Sequence, residues 1–243
     1  MNTIQAQFAE LLSMTDRAHP WHGVAAEANG GINAFIEMIE GDEFKRELDK
    51  PSGILRVDRA RRLSSACPFP YGFIPQTYCG ERVAKLCVEA AKGKRKRIQG
   101  DHDPLDLFVL TSHRLPAPDV LLKVRPIGGY RMIDGGQADD KIIAVHDTDE
   151  FFDGIHDIRD VPAAIIDKLE HYLLTYKNPP RAKKRAVSIV EIYGPEAAAQ
   201  VIAAAREDYH AHFGTPESRL QQLAEMLADA VERRLAERSA TKG

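Results

Sequence analysis

Three aspartates fall within six residues in Gly100-Asp101-His102-Asp103-Pro104-Leu105-Asp106-Leu107, at the entrance to an apolar run. Carboxylates that close disfavour one another's ionisation unless a cation sits among them, and hard divalent cations take carboxylate oxygens as ligands. Pro104 biases Asp103 toward an extended backbone. That predicts Asp101 and Asp103 on one side, with Asp106 turned inward at the start of a strand. Magnesium or manganese is the natural occupant of such a cluster. The competing reading is a loop whose aspartates cap turns and bond their own backbone, a common use of Asp beside Pro. A second acidic group, in Asp134-Gly135-Gly136-Gln137-Ala138-Asp139-Asp140-Lys141, would let two loops feed one metal cluster. The histidines offer no rival centre, because His19 and His22, or His210 and His212, lack acidic or cysteine partners at a metal-ligand spacing.

The elements that must hold these residues read as strands first. Ala34 to Ile39, Phe44 to Leu48 and Gly53 to Asp58 are short extended pieces between turn residues, expected as an antiparallel meander. Leu107 to Leu110, Val120 to Val124, Lys141 to Val145 and Val187 to Tyr193 are further strand candidates, enough for a small closed or nearly closed barrel. Asp160 and Pro162 open a helix carrying Ile165, Leu169, Leu173 and Tyr176, and an alanine-rich helix runs from about Glu196 to His212. Thr215-Pro216-Glu217 begins a last helix with an apolar stripe of Leu220, Leu223, Leu227, Val231 and Leu235. The layout predicted is an N-terminal arm over 1–33, with a short helical pattern at Ile4 to Leu12, then a catalytic domain over 34–213 and a helical extension over 214–243. Residues 80–100, with a short helix and the basic run Lys92-Gly93-Lys94-Arg95-Lys96-Arg97, look like an insertion beside the acidic cluster.

With 243 residues and 44% hydrophobic content, the chain can bury one substantial core. The 33 Lys and Arg nearly balance 36 Asp and Glu, so no overall field favours nucleic acid or an anionic membrane, and any anion must be held locally. Three cysteines, Cys67, Cys79 and Cys87, without C-x-x-C spacing suggest neither a disulfide framework nor structural zinc. No stretch approaches the roughly 20 apolar residues of a membrane span, and the expected setting is cytoplasmic.

The motif Asp101, Asp103, Pro104, Asp106 resembles the Asp-x-Asp-Pro-x-Asp hallmark of the family I soluble inorganic pyrophosphatases. Phe35-Ile36-Glu37, Lys45-Arg46-Glu47-Leu48-Asp49, Val57-Asp58-Arg59 and Tyr71-Gly72-Phe73-Ile74-Pro75 extend the likeness. Arg125-Pro126-Ile127-Gly128, Asp134, the Asp139 to Lys141 group and Tyr176-Lys177 follow in the family's order. The resemblance implies an α+β fold: a five-stranded barrel of oligonucleotide-binding type with flanking helices, assembled as a homo-oligomer, either dimer or hexamer. It implies hydrolysis of pyrophosphate with several magnesium ions per site, manganese being a substitute, and no nucleic-acid partner. Carried over by position, Asp101, Asp106 and Asp139 would hold the activating metals, Asp134 and Asp139 those brought with substrate, and Glu37 a further metal or its waters. Asp103 matches the general base. Lys45, Arg59, Tyr71, Lys141, Tyr176 and Lys177 would bind phosphate, both lysines at 141 and 177 serving substrate rather than core packing, and Glu47 would organise its neighbours.

Three features depart from the pattern. Cys67 stands where the family usually has a tyrosine, Gly135 replaces a frequent acidic residue, and the 80–100 segment is additional. Cys67 reads either as a peripheral loss of one phenol or as a redox-sensitive thiol. A weak phosphate-binding descendant and a hydrolase of larger diphosphates are the competing functions.

Overall fold

The structure is a computed structural model that describes residues 17–61, 63–92, 97–178, 181 and 187–240. The N-terminal helical pattern, Lys94 to Lys96 and most of the basic loop over 179–185 lie outside the described residues. Strands follow as β1 (Glu27–Ala28), β2 (Gly31–Met38), β3 (Phe44–Leu48), β4 (Leu55–Ala60), β5 (Tyr71–Phe73), β6 (Gln99–Gly100), β7 (Asp106–Leu110), β8 (Val120–Asp134), β9 (Gln137–Ala138), β10 (Lys141–His146) and β11 (Val187–Tyr193). The helices are α1 (Glu81–Ala90), α2 (Ala163–Thr175), α3 (Pro195–Phe213) and α4 (Pro216–Ala240).

β2 pairs with β5, β5 with β7, β7 with β10 and β10 with β8, and β8 returns to β2, closing a ring of five strands. This is the small α+β barrel arrangement the sequence led us to expect. Only β7 and β10 in the ring run parallel, and their register sets Lys141 opposite Asp106. That pairing puts an ammonium and a carboxylate side by side at the same end of the ring.

Closure depends on β8, which is 15 residues long rather than the short Val120 to Val124 strand expected. Its first part pairs with β2 and its second with β10 and β11, so the strand must bend between them. Gly128 makes the bend. Its φ of +154° is outside what side-chain-bearing residues readily adopt, and a Cβ there would lie 2.4 Å from the Tyr193 carbonyl oxygen. Nor does the expected meander form. β3 and β4 make a separate two-stranded sheet, while β2 joins the ring. The difference lies in burial: β2 is covered on both faces, whereas β4 is exposed along almost its whole length.

Backbone contacts divide the chain into His19–Tyr209 and a second unit of Met1–Ala18 with His210–Gly243. Residues expected in the N-terminal arm therefore belong partly to the larger unit. Trp21 is buried there, its indole N–H donating to the Thr77 carbonyl at 2.7 Å. In the second unit, Thr215 caps α4 by accepting the Ser218 N–H at 3.2 Å, as its sequence signature indicates.

The described part of the 80–100 segment is built into the core. Val83, Ala84 and Cys87 of α1 are buried, and Ala84 and Cys87 pack with Ala91, Ile98, Ile133 and Ala138. Gly80 at the α1 N-terminus offers no side-chain cap, and Asp208 of α3 supplies one from a distance. Its carboxylate accepts the backbone N–H groups of Gly80, Arg82 and Val83 at 3.0–3.3 Å, and the Arg82 guanidinium at 3.0 Å. Orphan amides at a helix start favour such an anion. Asp208→Ala should cost about 1.5–3 kcal/mol, the range for hydrogen bonds to a charged group, read as a lower urea midpoint with an unchanged m-value.

Candidate active site

Asp106 opens β7 as expected, but the backbone bends at His102 and Asp103 ahead of it. His102 takes a positive φ of 64°, and the Asp103 N–H donates to Asp101 Oδ1 at 3.0 Å. Short polar residues tolerate this conformation better than branched ones. The turn is pinned to the entry of α1: the His102 N–H donates to the Cys79 carbonyl, and the Cys79 N–H to the Asp103 carbonyl. Gly100 is required beneath it, since a Cβ there would approach the Cys79 carbonyl oxygen to 2.0 Å.

The turn, β5, β7, the β8–β10 connection and the end of α2 converge on a pocket of about 180 Å³. Asp101, Asp103, Asp106, Asp134 and Asp139 line it together with Lys45, Lys141, Lys177, Tyr71 and Tyr176. Lys141 is the central cation, only 2% exposed, donating to Asp106 at 2.5 Å and also to Asp139. Burial opposes its charge, but the two carboxylates outweigh that and hold its pKa well above the ordinary lysine range. The Tyr71 hydroxyl donates to Asp106 at 2.5 Å. Lys177 pairs with Asp134, and Lys45 donates to Glu47 at 2.9 Å and lies 3.5 Å from Asp58.

Three of the residues singled out from sequence lie outside the pocket lining. Glu37 is buried on β2 and accepts the Leu48 N–H at 2.7 Å. Arg59 lines an adjoining cavity and pairs with Asp58 at 2.6 Å, while Glu47 fixes Lys45 and also accepts Arg56 at 3.1 Å. Asp140, grouped with Asp134 and Asp139 by sequence, points elsewhere. Side chains alternate along extended backbone, so Asp139 and Lys141 share one face, and Asp140 on the other pairs with Arg131 and Tyr193 at 3.2 Å. Arg125 likewise serves the scaffold, donating to the carbonyls of Asp153 and Ile155.

Two site residues escaped the sequence reading. Lys50 pairs with Asp103 across 53 positions, a contact no local pattern announces. Gln137 lines the pocket and donates to the Gly100 carbonyl at 3.4 Å; its place between Asp134 and Asp139 was the available signal. Cys67 is buried, donates to the Phe69 carbonyl at 3.2 Å, and burial pushes its thiol up to about 11. That removes the redox-sensor reading, which requires an accessible thiol of lowered pKa.

Burial and mutual repulsion shift the carboxylates of the cluster. Burial and then Asp106 raise Glu37 to about 8; burial and then Asp139 raise Asp101 to about 8. Burial also raises Asp106 despite Lys141, whereas Asp139, pushed upward by burial, is held below the ordinary range by Lys141. Among the described residues, no three His, Cys, Asp or Glu side chains already form a metal-ligand group. Lysines instead engage Asp103, Asp106, Asp134 and Asp139. The donor set nonetheless suits hard divalent cations: five carboxylates face three ammonium groups in one pocket, and all the anionic donors are oxygen.

A pH effect follows. Glu37, Asp101 and Asp140, the last raised to about 6 by burial, bind protons in the folded chain that the unfolded chain has released. Metal-free protein should therefore lose stability as pH rises from about 5 to about 8: there the carboxylates lowered on folding, such as Asp139 and Asp149, are ionised in both states, while these three raised groups keep protons only in the folded chain. Magnesium should raise the melting temperature more at about pH 8 than at about pH 5, where protons already neutralise the cluster. Thermal melts with EDTA and with magnesium at both values check this; an equal metal effect at the two would refute it.

Comparison with known proteins follows the same outline. The family model described as inorganic pyrophosphatase matches residues 34–210. The chain is 45% identical over 197 residues to an inorganic pyrophosphatase of Chlamydia caviae, covering 79% of this chain and 90% of that protein. It is 42% identical to the inorganic pyrophosphatase of Chlamydia muridarum over 79% and 93% of the two chains. Superposition on the crystal structure of inorganic pyrophosphatase from Thermus thermophilus gives a TM-score of 0.65 at 28% identity, over 79% of this chain and 99% of that one.

Proposed function

The chain belongs to the inorganic pyrophosphatase family and hydrolyses pyrophosphate to two phosphates, and on that premise we propose how its residues divide the work. The observation that carries the assignment is the convergence of five carboxylates, three ammonium groups and two phenols on one small pocket. Asp101, Asp106, Asp134 and Asp139 would hold divalent metal, magnesium by preference and manganese as a substitute, with Glu37 behind them. Bound metal supplies neutralisation of phosphate oxygens and a more acidic water.

The chain's own groups do the rest. Lys45, Lys141 and Lys177, with Arg59 reaching in from the adjoining cavity, would face the phosphate oxygens and oppose the repulsion that otherwise keeps an anionic nucleophile away. Tyr71 and Tyr176 orient substrate. Their phenols stay protonated because burial raises both pKa values, so each can donate. Glu47 fixes Lys45 by accepting its hydrogen bond. Asp103 is the proton acceptor. Its side chain is about half exposed, at 51%, so the carboxylate can meet water at the pocket rim once Lys50 releases it.

Among the described residues no helix is long and apolar enough to cross a membrane. We read the protein as a cytoplasmic homo-oligomer: its three cysteines are free thiols, and exposed Leu223, Met226, Leu227 and Val231 on α4 are surface that a second copy would cover. Phosphate release with magnesium, comparing pyrophosphate with nucleoside triphosphates and including Asp103→Asn, tests the function. Release from pyrophosphate alone, lost on adding EDTA, is expected; equal release from nucleotides would overturn the substrate assignment.

A further inference from the structure

Beside the acidic pocket lies a cavity of about 590 Å³, well within the roughly 300–1,000 Å³ of organic-ligand sites and more than three times the acidic pocket. Lys45, Tyr71, Lys141, Tyr176 and Lys177 line both spaces, so the two are contiguous. The walls differ in chemistry. Away from the shared lysines, Leu63 and the edge of Tyr172 reach the cavity with the buried Met38, Phe108 and Leu173 packed behind them, while Arg59 adds a cation. Pyrophosphate has no apolar atom to place against such walls.

We propose that this cavity is a second compartment of the site, taking the organic group of a diphosphate monoester whose diphosphate end occupies the lysine-lined pocket. The proposal rests on the assignment of that pocket to pyrophosphate. Charge complementarity selects the anionic end, because one molecule can reach Lys45, Lys141 and Lys177 and still bury a compact group against Tyr172 and Leu63. Two features favour an aromatic group bearing a hydrogen-bond acceptor. Tyr172 and Tyr176 stack with centroids 4.9 Å apart and planes at 15°, leaving a ring system beside the cavity. Arg61, also in the lining, has a buried Nε–H with no acceptor among the described residues, although its terminal nitrogen donates to the Ser65 carbonyl at 2.6 Å. A buried donor without a partner is costly, and an ether or carbonyl oxygen on the bound group would satisfy it. Such a ligand competes with pyrophosphate, making the cavity a route by which an organic diphosphate restrains the enzyme.

The probes are the monophenyl and monomethyl esters of methylenediphosphonate, in which carbon replaces the bridging oxygen so that binding is read without turnover. Inhibition of pyrophosphate hydrolysis should be competitive, with the phenyl ester at least tenfold tighter than the methyl ester, equivalent to about 1.4 kcal/mol. Leu63→Trp fills the cavity from a half-buried position. It should abolish the phenyl preference while leaving KM for pyrophosphate unchanged. Equal affinity of the two esters for the unaltered protein, or a preference that survives Leu63→Trp in folded protein, would overturn the proposal. Calorimetric titration of both esters in magnesium separates this from failure of the pyrophosphatase assignment, because it reports binding even where no phosphate is released.

Discussion

Asp103→Asn should lower kcat for pyrophosphate by roughly 10²–10⁴ at saturating magnesium, the contribution typical of a positioned proton acceptor. The substitution keeps the shape of the side chain and its place in the turn, where the backbone N–H of residue 103 still bonds Asp101. What it removes is a basic oxygen. Magnesium affinity should change little, because Asp101, Asp106, Asp134 and Asp139 all remain around the pocket. Asp106→Asn should differ in kind: Asp106 joins Tyr71 and Lys141 at the centre of the cluster, so metal affinity and activity should fall together. Lys50→Met gives a third arm. It deletes the ion pair with Asp103 but leaves the carboxylate, and kcat should stay well above that of Asp103→Asn. If Asp103→Asn turns over like the unaltered protein across pH, another group takes the proton and the assignment fails.

What sequence could and could not supply follows from the range over which each interaction acts. The acidic motif, the paired loops and the helix starts depend on neighbours within a few residues, and each is visible as spacing. The closed ring is also foreseeable, as apolar runs between turn residues. The identity of strand partners is not, because it depends on long-range pairing: β2 and β8 meet across about ninety residues, and the bend that allows it resides in Gly128. Asp140 shows the same limit on a smaller scale. Its neighbours in sequence are site residues, yet alternation along the extended backbone turns it toward Arg131. Lys50 was unreadable for the opposite reason, since its turn sequence explains it fully without a distant partner. The 80–100 segment reads as an insertion beside the acidic cluster because its charge run dominates its composition, whereas the apolar residues on either side of that run enter the core.

Burial also separates two lysines that sequence treats alike. Lys177 is about one-third exposed and pairs with Asp134 near solvent, so Lys177→Met should weaken kcat/KM but change stability by less than about 1 kcal/mol. Lys141 is enclosed between Asp106 and Asp139. Lys141→Met keeps the bulk of the chain but leaves the buried Asp139 and the partly buried Asp106 without their cation, and removing one partner of a buried ion pair costs about 3–5 kcal/mol. In EDTA, the variant should therefore unfold at a markedly lower urea concentration at about pH 8. The deficit should shrink toward about pH 5, because proton uptake by the unpaired carboxylates relieves the same repulsion that the ammonium relieved. Magnesium should recover much of the loss, since the carboxylates freed from Lys141 are those assigned to hold it. Activity should not recover with stability. An ammonium aimed at phosphate is a preorganised electrostatic stabiliser, and its removal should cost roughly 10²–10³ in kcat/KM even with the protein fully folded in magnesium. Equal stability of Lys141→Met and the unaltered protein in EDTA at both pH values would show that the carboxylates do not depend on this lysine. Undiminished kcat/KM in magnesium would remove it from the phosphate site.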